Sequence, residues 1–439
     1  MIETDILYRI KTGRTPGTLA KVLGAIAEHH AHVGEIETRY IGPEFNIRDV
    51  LVIAPSEDVV EAITNAITAV GGVELVAEPV DQAFHTHQGG KLQVTSRVKV
   101  KTLQDMREIY TPGVARVSEA IQRDPSLAST LTWKGSTVAV VSDGSRVLGL
   151  GDIGPKASLP VMEGKALFYS MFIGLNAVPI VLDTKDPEEI IETIVRIAPG
   201  FGGIHLEDIA SPGVFHIEEE LDRRLDIPVM HDDQHGTAIV VMAAVLSAAR
   251  QLGVELQDWV FGQIGLGAAG SAIARLAMYF PFKRIEMFDP SDAALSRTLS
   301  FAPDEVDTYG TTEGFEEIAS RVDVLVLTTG QANLLKPEHI RPGQTVMALT
   351  NPVPEINRYA AREAGAAVAT DGSIVNNVLA YPGLFKGALD AGAARITPEM
   401  KKAAAIALSE LAPDDALLPD PLDLTVHATV AERVAQAAN

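Results

Sequence analysis

The segment IPVMHDDQHGTAIVVM, Ile227–Met242, sets two histidines and two aspartates within five residues, just ahead of an apolar run. His231 and His235 are four apart, the spacing of two ligands on one helix face, while Asp232 and Asp233 offer hard oxygen donors. Any of the four could also serve an ordinary helix start. Three other short apolar runs end in an acid: STVAVVSD at Asp143, AVPIVLD at Asp183 and GGIHLED at Asp208, as IPVMHDD ends at Asp233. Ligands of a parallel α/β sheet bind at the carboxyl ends of its strands, so these acids would form a carboxylate rim. Helix N-capping is the plainer use of such an acid and suits Asp143 and Asp183.

A second constellation is WVFGQIGLGAAGSAIARLAMYF, a strand, a glycine turn and a helix. Gly265, Gly267 and Gly270 stand in G-x-G-x-x-G spacing, with Leu266, Ala268 and Ala269 between them. The first glycine suits the tight turn, the second a close backbone approach to a pyrophosphate at the helix N-terminus, the third close helix–strand packing. Asp289 ends the following strand, where an acid accepts from a ribose 2′-hydroxyl. Its charge would oppose a 2′-phosphate, and no basic residue follows until Arg297, so NAD is expected ahead of NADP. The glycine-rich RVLGLGDIGPKASLPVMEGKALFYSM, which carries Lys165, lacks the spacing of a phosphate loop.

The elements that must position these residues are those of a multi-domain α/β chain. Its 439 residues predict two or three domains. A net charge of -22 argues against nucleic acid and anionic membrane as partners, and requires local positive charge for any anionic substrate. Without cysteine there is no disulfide, thiolate zinc site or thiol nucleophile. The acidic MIETDILYRI does not read as a signal peptide, and the apolar stretch Ala238–Ala249 reads as too short for a bilayer; a cytoplasmic protein is expected. Residues 1–82 follow a βαββαβ order, a ferredoxin-like pattern, and with the TPGTLAKV turn-helix resemble an ACT domain, a small-molecule sensing module. That resemblance implies an effector near Gly13–Gly17 and the strand from His32, where two copies meet. DQAFHTHQGGKLQV reads as a linker, taken over 83–98. An α/β substrate and metal domain is expected over 99–235, completed by 376–439, and a Rossmann domain over 236–375.

In order along the chain, YTPGVA, DGSRVLGLGDIGPKASLPVMEGKALFY, HLEDI, HDDQHGTAIV, IGLGAAG, TNPVPE and VNNVLAYPG resemble the motifs of the malic enzymes, most of all the bacterial form. The resemblance spans roughly residues 95–400. It implies oxidation of L-malate with NAD, NADP being possible, then decarboxylation to pyruvate and CO2 on a divalent metal. Lys165 matches the family's base for the C2 hydroxyl and Tyr110 the acid that protonates C3. Burial beside a metal is expected to lower the Lys165 pKa. Asp232 matches the neighbour that positions the lysine. Glu207, Asp208 and Asp233 match the metal ligands, and as oxygen donors point to Mg2+ or Mn2+. Arg146 matches the carboxylate-binding arginine; Asn351, Asn376 and Asn377 match asparagines near substrate and nicotinamide, with loop capping as their plainer role. The two histidines then read as supports. Only Ser373 and Ile374 separate ATDG from VNNVLAYPG, shorter than the loop usual in bacterial members.

A homodimer or larger homo-oligomer is expected. Rival readings are a malolactic enzyme, which yields lactate and keeps its NAD, a carboxylate-metal hydrolase, and a catalytically inactive binding protein.

Overall fold

Alternation builds the first element. In β1 (Thr4–Gly13) Ile6, Tyr8, Ile10 and Thr12 are buried, and the residues between them are more exposed. The computed structural model describes residues 3–147, 149–300, 308–310 and 314–438; Leu148, within the longest motif, lies outside them. Two units are present, Met1–Gln93 and Val94–Asn439.

In the first unit β1 is followed by α1 (Thr18–Ala27), β2 (His32–Ile41), β3 (Phe45–Ala54), α2 (Val60–Ala69) and β4 (Val73–Leu75). The sheet is antiparallel in the order β2-β3-β1-β4. Its core joins Tyr8, Ile10 and Val52 to Val22, Ile26, Ile63 and Ile67 of the two helices. The last strand of the expected βαββαβ order does not run through VELVAEPV: β4 stops at Leu75, and β5 (Val80–Asp81) pairs separately with β1. Pro79, just before β5, has no N–H to donate to a ladder. The expected linker opens instead with a short helix, α3 (Gln82–His87), because the Asp81 carboxylate accepts from Phe84 N.

The second unit begins with α4 (Leu103–Ile109), α5 (Gly113–Arg123) and α6 (Ala128–Leu131). A strand–helix alternation follows: β6 (Thr137–Ser142), α7 (Pro155–Ile173), β7 (Asn176–Val181), α8 (Pro187–Ile197), β8 (Gly203–Leu206), α9 (Gly213–Arg224), β9 (Val229–His231) and α10 (Asp232–Leu252). These strands form a parallel sheet in the order β7-β6-β8-β9. Asp186, not Asp183, caps α8.

The chain continues through β10 (Val260–Ile264), α11 (Ala268–Ala277), β11 (Arg284–Phe288), α12 (Asp292–Leu299), β12 (Thr308–Gly310) and α13 (Phe315–Arg321). It then runs through β13 (Val324–Leu327), β14 (Thr345–Ala348), α14 (Arg358–Glu363) and β15 (Val368–Asp371). The second parallel sheet has the order β12-β11-β10-β13-β14-β15, so the strand order reverses at β10, the position where doubly wound sheets open a crevice. Of the last three helices, α15 (Tyr381–Asp390) and α17 (Leu424–Ala437) pack on α7, and α16 (Pro398–Leu411) packs on α10.

Helix α10 is the spine of this unit. The apolar stretch expected to be too short for a bilayer belongs to a 21-residue helix that is long and apolar enough to cross one. Its burial explains its composition: Ile239, Val240, Val241, Met242 and Val245 are fully enclosed in a core that also takes in Phe261 and Ile273. Each such side chain is worth about 1.5–3 kcal/mol when removed from water. The helix that begins at HDDQHG is thereby held rigidly.

Candidate active site

Strand periodicity places His205 and Glu207 on one side of β8 and its extension. His205 bridges Tyr169 and Glu207: its Nδ1 is 2.9 Å from the Tyr169 hydroxyl, its Nε2 2.6 Å from Glu207 Oε2. One strand over, β9 runs directly into α10, so Asp232 and Asp233 occupy the first turn of a long helix, where the backbone dipole favours negative charge. Gly236 lies one turn later. A Cβ there would sit 1.9 Å from Asp232 Oδ1, so the aspartate folds back over its own helix into space that only glycine leaves.

Lys165 reaches this point from α7. Its Nζ lies 2.5 Å from Asp232 Oδ2 and 2.9 Å from Glu207 Oε1. Asn377 donates to Asp232 Oδ2 at 3.1 Å and to Thr237 Oγ1 at 3.1 Å. Asn376 accepts from Val378 N at 3.1 Å, a capping bond. Burial alone would lower the Lys165 pKa, but Asp232 and Glu207 outweigh it and hold the ammonium well above its ordinary value. The expected lowered pKa is therefore not what the protein groups produce, because two carboxylates touch the amine. Burial opposes ionisation of Glu207 too, yet Lys165 and His205 hold it below its usual range.

Asp208 is the strained member. It takes a left-handed backbone at φ 54, uncommon for a residue with a side chain. Its Oδ2 is buried and meets no donor among the described residues. Burial, then the charges of Glu207 and Asp233, push its carboxyl up to about 8. Carboxylate oxygens of Glu207, Asp208 and Asp233 all lie within 4.8 Å of one another. Three hard oxygen donors, one of them orphaned, fit a divalent cation such as Mg2+ or Mn2+. His205, Glu207 and Asp232 also converge within 4.8 Å, but both His205 nitrogens and an Asp232 oxygen are already engaged. The histidines of HDDQHG are not part of the oxygen trio. His231 Nε2 is 3.3 Å from Asp233 Oδ2 and its backbone N donates to Glu218, while His235 lies between Glu218 and Lys401.

The carboxylates open into a cavity of about 440 Å³. Arg146, Lys165, Glu207, Asp208 and Asp233 are among its lining, as are Gly267, Ala268, Ala269, Asn351, Asn376 and Asn377. The glycine turn fits a dinucleotide. Gly265 has φ 87, which favours a residue without Cβ. A Cβ on Gly270 would lie 1.8 Å from Gly265 O, whereas one on Gly267 would meet nothing within 4 Å. The middle glycine thus leaves room for a ligand, beside the N-terminus of α11, which no side chain caps. Asp289 accepts from Leu266 N at 2.7 Å and Ser291 N at 2.8 Å, tying the turn to the end of β11.

Tyr110 is not brought to this cavity. It sits at the C-terminal end of α4, 72% exposed, and does not line the cleft. Sequence reasoning also missed three residues. His205 was detectable, since it stands two positions before Glu207 on a strand. Glu218 carried no local signal: it is one acid in EEE, yet it accepts from His231 N and Gln234 Nε2, both at 2.7 Å. Tyr381, whose ring lies 4.9 Å from Lys165 Nζ, reads as an ordinary core residue until the fold is known.

Comparison with known proteins agrees with this geometry. Residues 89–222 match the family model of the malic enzyme N-terminal domain. The chain is 43% identical to NAD-dependent malic enzyme 1 of Bacillus subtilis, over 98% of this chain and 96% of that protein. It is 38% identical to the NAD-dependent malic enzyme of Geobacillus stearothermophilus, over 99% of this chain and 93% of that one. The malic enzyme structure from Pyrococcus horikoshii superposes with a TM-score of 0.72 at 39% identity, covering 80% of this chain and 87% of its own. Sequence likeness along nearly the whole length and shared architecture lead to one conclusion: the chain belongs to the malic enzyme family.

Proposed function

We propose that this protein oxidises L-malate at C2 with NAD and releases CO2 to give pyruvate. One observation carries the reading: Lys165, three oxygen donors and the glycine turn all line one cleft. The relatives named as NAD-dependent support the cofactor, as does Asp289 at the ribose position.

Glu207, Asp208 and Asp233 would hold the Mg2+ or Mn2+. Bound there, the metal supplies Lewis acidity for the developing enolate, as NAD supplies the hydride acceptor. Arg146 provides positive charge for a malate carboxylate in an otherwise acidic wall. Lys165 takes the proton of the C2 hydroxyl, with Asp232 and Asn377 fixing its direction. Asn351 and Asn376 position substrate and nicotinamide at the far wall. The proton for C3 is assigned to Tyr110 by its match to YTPGVA, although the side chain does not line this cleft. We further assign the first unit the binding of a small-molecule effector near Gly13–Gly17, and place the enzyme in the cytoplasm.

A malate assay with Mn2+ tests the core of this. NADH and pyruvate should accumulate together, and Lys165→Ala should lose turnover while still binding NAD. Lactate without free NADH would replace the reading with the malolactic one. Near-normal turnover in Lys165→Ala would remove the base assignment.

A further inference from the structure

Helices α10 and α11 contribute to two cavities, and only one of them is the cleft described above. At the start of α10, Asp233 and Thr237 line the cleft, whereas Gln234 and His235 line the second cavity. On α11, Ala268 and Ala269 belong to the cleft, and Ala272, Arg275 and Leu276 to the second cavity. That second space measures about 350 Å³, within the range of small-ligand sites, and side chains of α9, α12 and α16 complete its wall.

Its charges are not matched within the wall. Arg297 and Lys401 both line it, and neither forms an ion pair among the described residues. Lys401 has one hydrogen bond, to His235 Nδ1 at 3.0 Å, which leaves donors of its ammonium unused. Burial lowers this amine to about 8, against the pull of Glu218 and Asp222. Arg297 lies over the Phe215 ring at 4.1 Å and donates to Leu266 O, but its buried Nε meets no acceptor among the described residues. Arg275 stands close enough to repel each of the other two. The acids of the same wall are engaged or outlying. Glu218 accepts from His231 N, Gln234 and His235, Asp222 pairs with Arg395 at 2.6 Å, and Glu219 is exposed. Cations crowded around one hollow are costly unless an anion joins them, and they are the more notable in a chain of net charge -22. The wall also includes the buried apolar side chains of Val229, Leu276 and Ile396. An inorganic anion would satisfy the cations and leave this surface unfilled, whereas a hydrocarbon body covers it.

We propose that the second cavity binds a small organic carboxylate, its charge on Arg297 and Lys401 and its hydrocarbon body against Val229, Leu276 and Ile396, and that occupation tightens NAD binding in the cleft. The link runs through Arg297. One of its nitrogens already holds Leu266 O of the glycine turn, and the ligand takes the Nε that remains, so binding steadies the turn without breaking that bond. By linkage, the carboxylate and NAD raise each other's affinity by the same factor. No step of malate turnover enters, so the site stands or falls apart from the activity proposed above.

Calorimetry of the full chain with benzoate tests the site. One benzoate per chain should bind with a Kd below about 1 mM. Benzamide, the same body without the charge, and inorganic phosphate, the charge without the body, should each bind about tenfold more weakly. Lys401→Met and Lys401→Gln should each weaken benzoate about tenfold, while Arg146→Gln in the cleft should not. With saturating benzoate, NAD should bind about fivefold tighter, and benzoate should gain the same factor when NAD is present. Benzamide or phosphate binding as well as benzoate overturns the ligand class, and needs no variant to read. Benzoate affinity unchanged in both Lys401 variants, or lost in Arg146→Gln, overturns the site. NAD affinity that benzoate leaves unchanged or weakens overturns the coupling.

Discussion

Replacing Glu218 by glutamine should destabilise the protein by up to about 3 kcal/mol at neutral pH, although the residue lies outside the proposed metal and cofactor cleft. Its side chain is 15% exposed and accepts from His231 N, Gln234 Nε2 and His235. Burial disfavours the charged form, but His235 and Lys401 outweigh burial and lower the carboxyl from 4.5 to about 2. At 1.36 kcal/mol per unit that drop gives at most about 3 kcal/mol, because burial lowers the pKa of His235 and its charge is largely lost at neutral pH. A depressed carboxylate contributes its stability above the unfolded pKa and loses it as pH falls through the folded one. Wild type and Glu218→Gln should therefore differ most above about pH 5 and converge towards pH 2. Glutamine adds a second fault, since its NH2 must face groups that are themselves donors. Urea unfolding followed by fluorescence of the buried Trp259 measures the gap. Because Glu218 anchors the start of α10, where Asp232 and Asp233 sit, Mn2+ affinity and kcat should fall as well. A difference below about 0.5 kcal/mol at pH 7, the size of an ordinary surface substitution, would refute the reasoning. So would a difference that does not change with pH.

The glycine turn separates binding from folding. Gly267→Val should weaken NAD binding at least tenfold, measured by calorimetry, with unfolding almost unchanged, since its side chain enters open space. Gly270→Ala should instead destabilise the fold, because its Cβ meets Gly265 O at 1.8 Å; equal NAD affinity in Gly267→Val and wild type would sink the first claim. Asp233→Ala should lose most Mn2+ binding in calorimetry of the metal-free protein, and retained affinity would remove it from the ligand set.

Legibility in the sequence followed range. The turn at Gly265–Gly270 is a local device, and its strand, glycines, helix and following acid were readable in order because each requirement falls within a few residues. The acid-terminated strands were readable for the same reason: period and strand ends are local. Asp183 looked like a cap, and Asp186 took that role because it is Asp186 that directly precedes α8. Pro79 and Asp81, both local signals, could have revealed the split strand and the helix after it. What could not be read was contact across sequence distance. Glu218 meets the chain 13 residues later only once α9 packs beside β9. Gly236 reads as an ordinary helix glycine until Asp232 is seen lying across it. Tyr110 is the extreme case: its motif stands in order along the chain, yet the fold leaves it outside the cavity that Lys165 lines.

The paradox of the site is that its proposed base is held protonated. Three buried carboxylates, Glu207, Asp208 and Asp232, and the partly exposed Asp233 face Lys165 and Arg146. The protein groups alone settle this excess of negative charge in two ways. Asp208 is raised to about 8, keeping its proton at neutral pH, and Lys165 keeps its ammonium well above the ordinary range. Both responses are to the same field, so both relax if two positive charges are added among Glu207, Asp208 and Asp233. Asp208 then ionises, having a partner for the oxygen that has none. Lys165 loses part of the attraction of Glu207 and gains a repulsion, and both lower its pKa towards the range where it can accept a proton. Asp232, outside the ligand trio, remains to orient the amine. The arrangement thus favours a lysine that becomes a base only in the loaded cleft, a division of labour in which the third ligand, Asp233, and the orienting Asp232 must be adjacent residues of one rigid helix start.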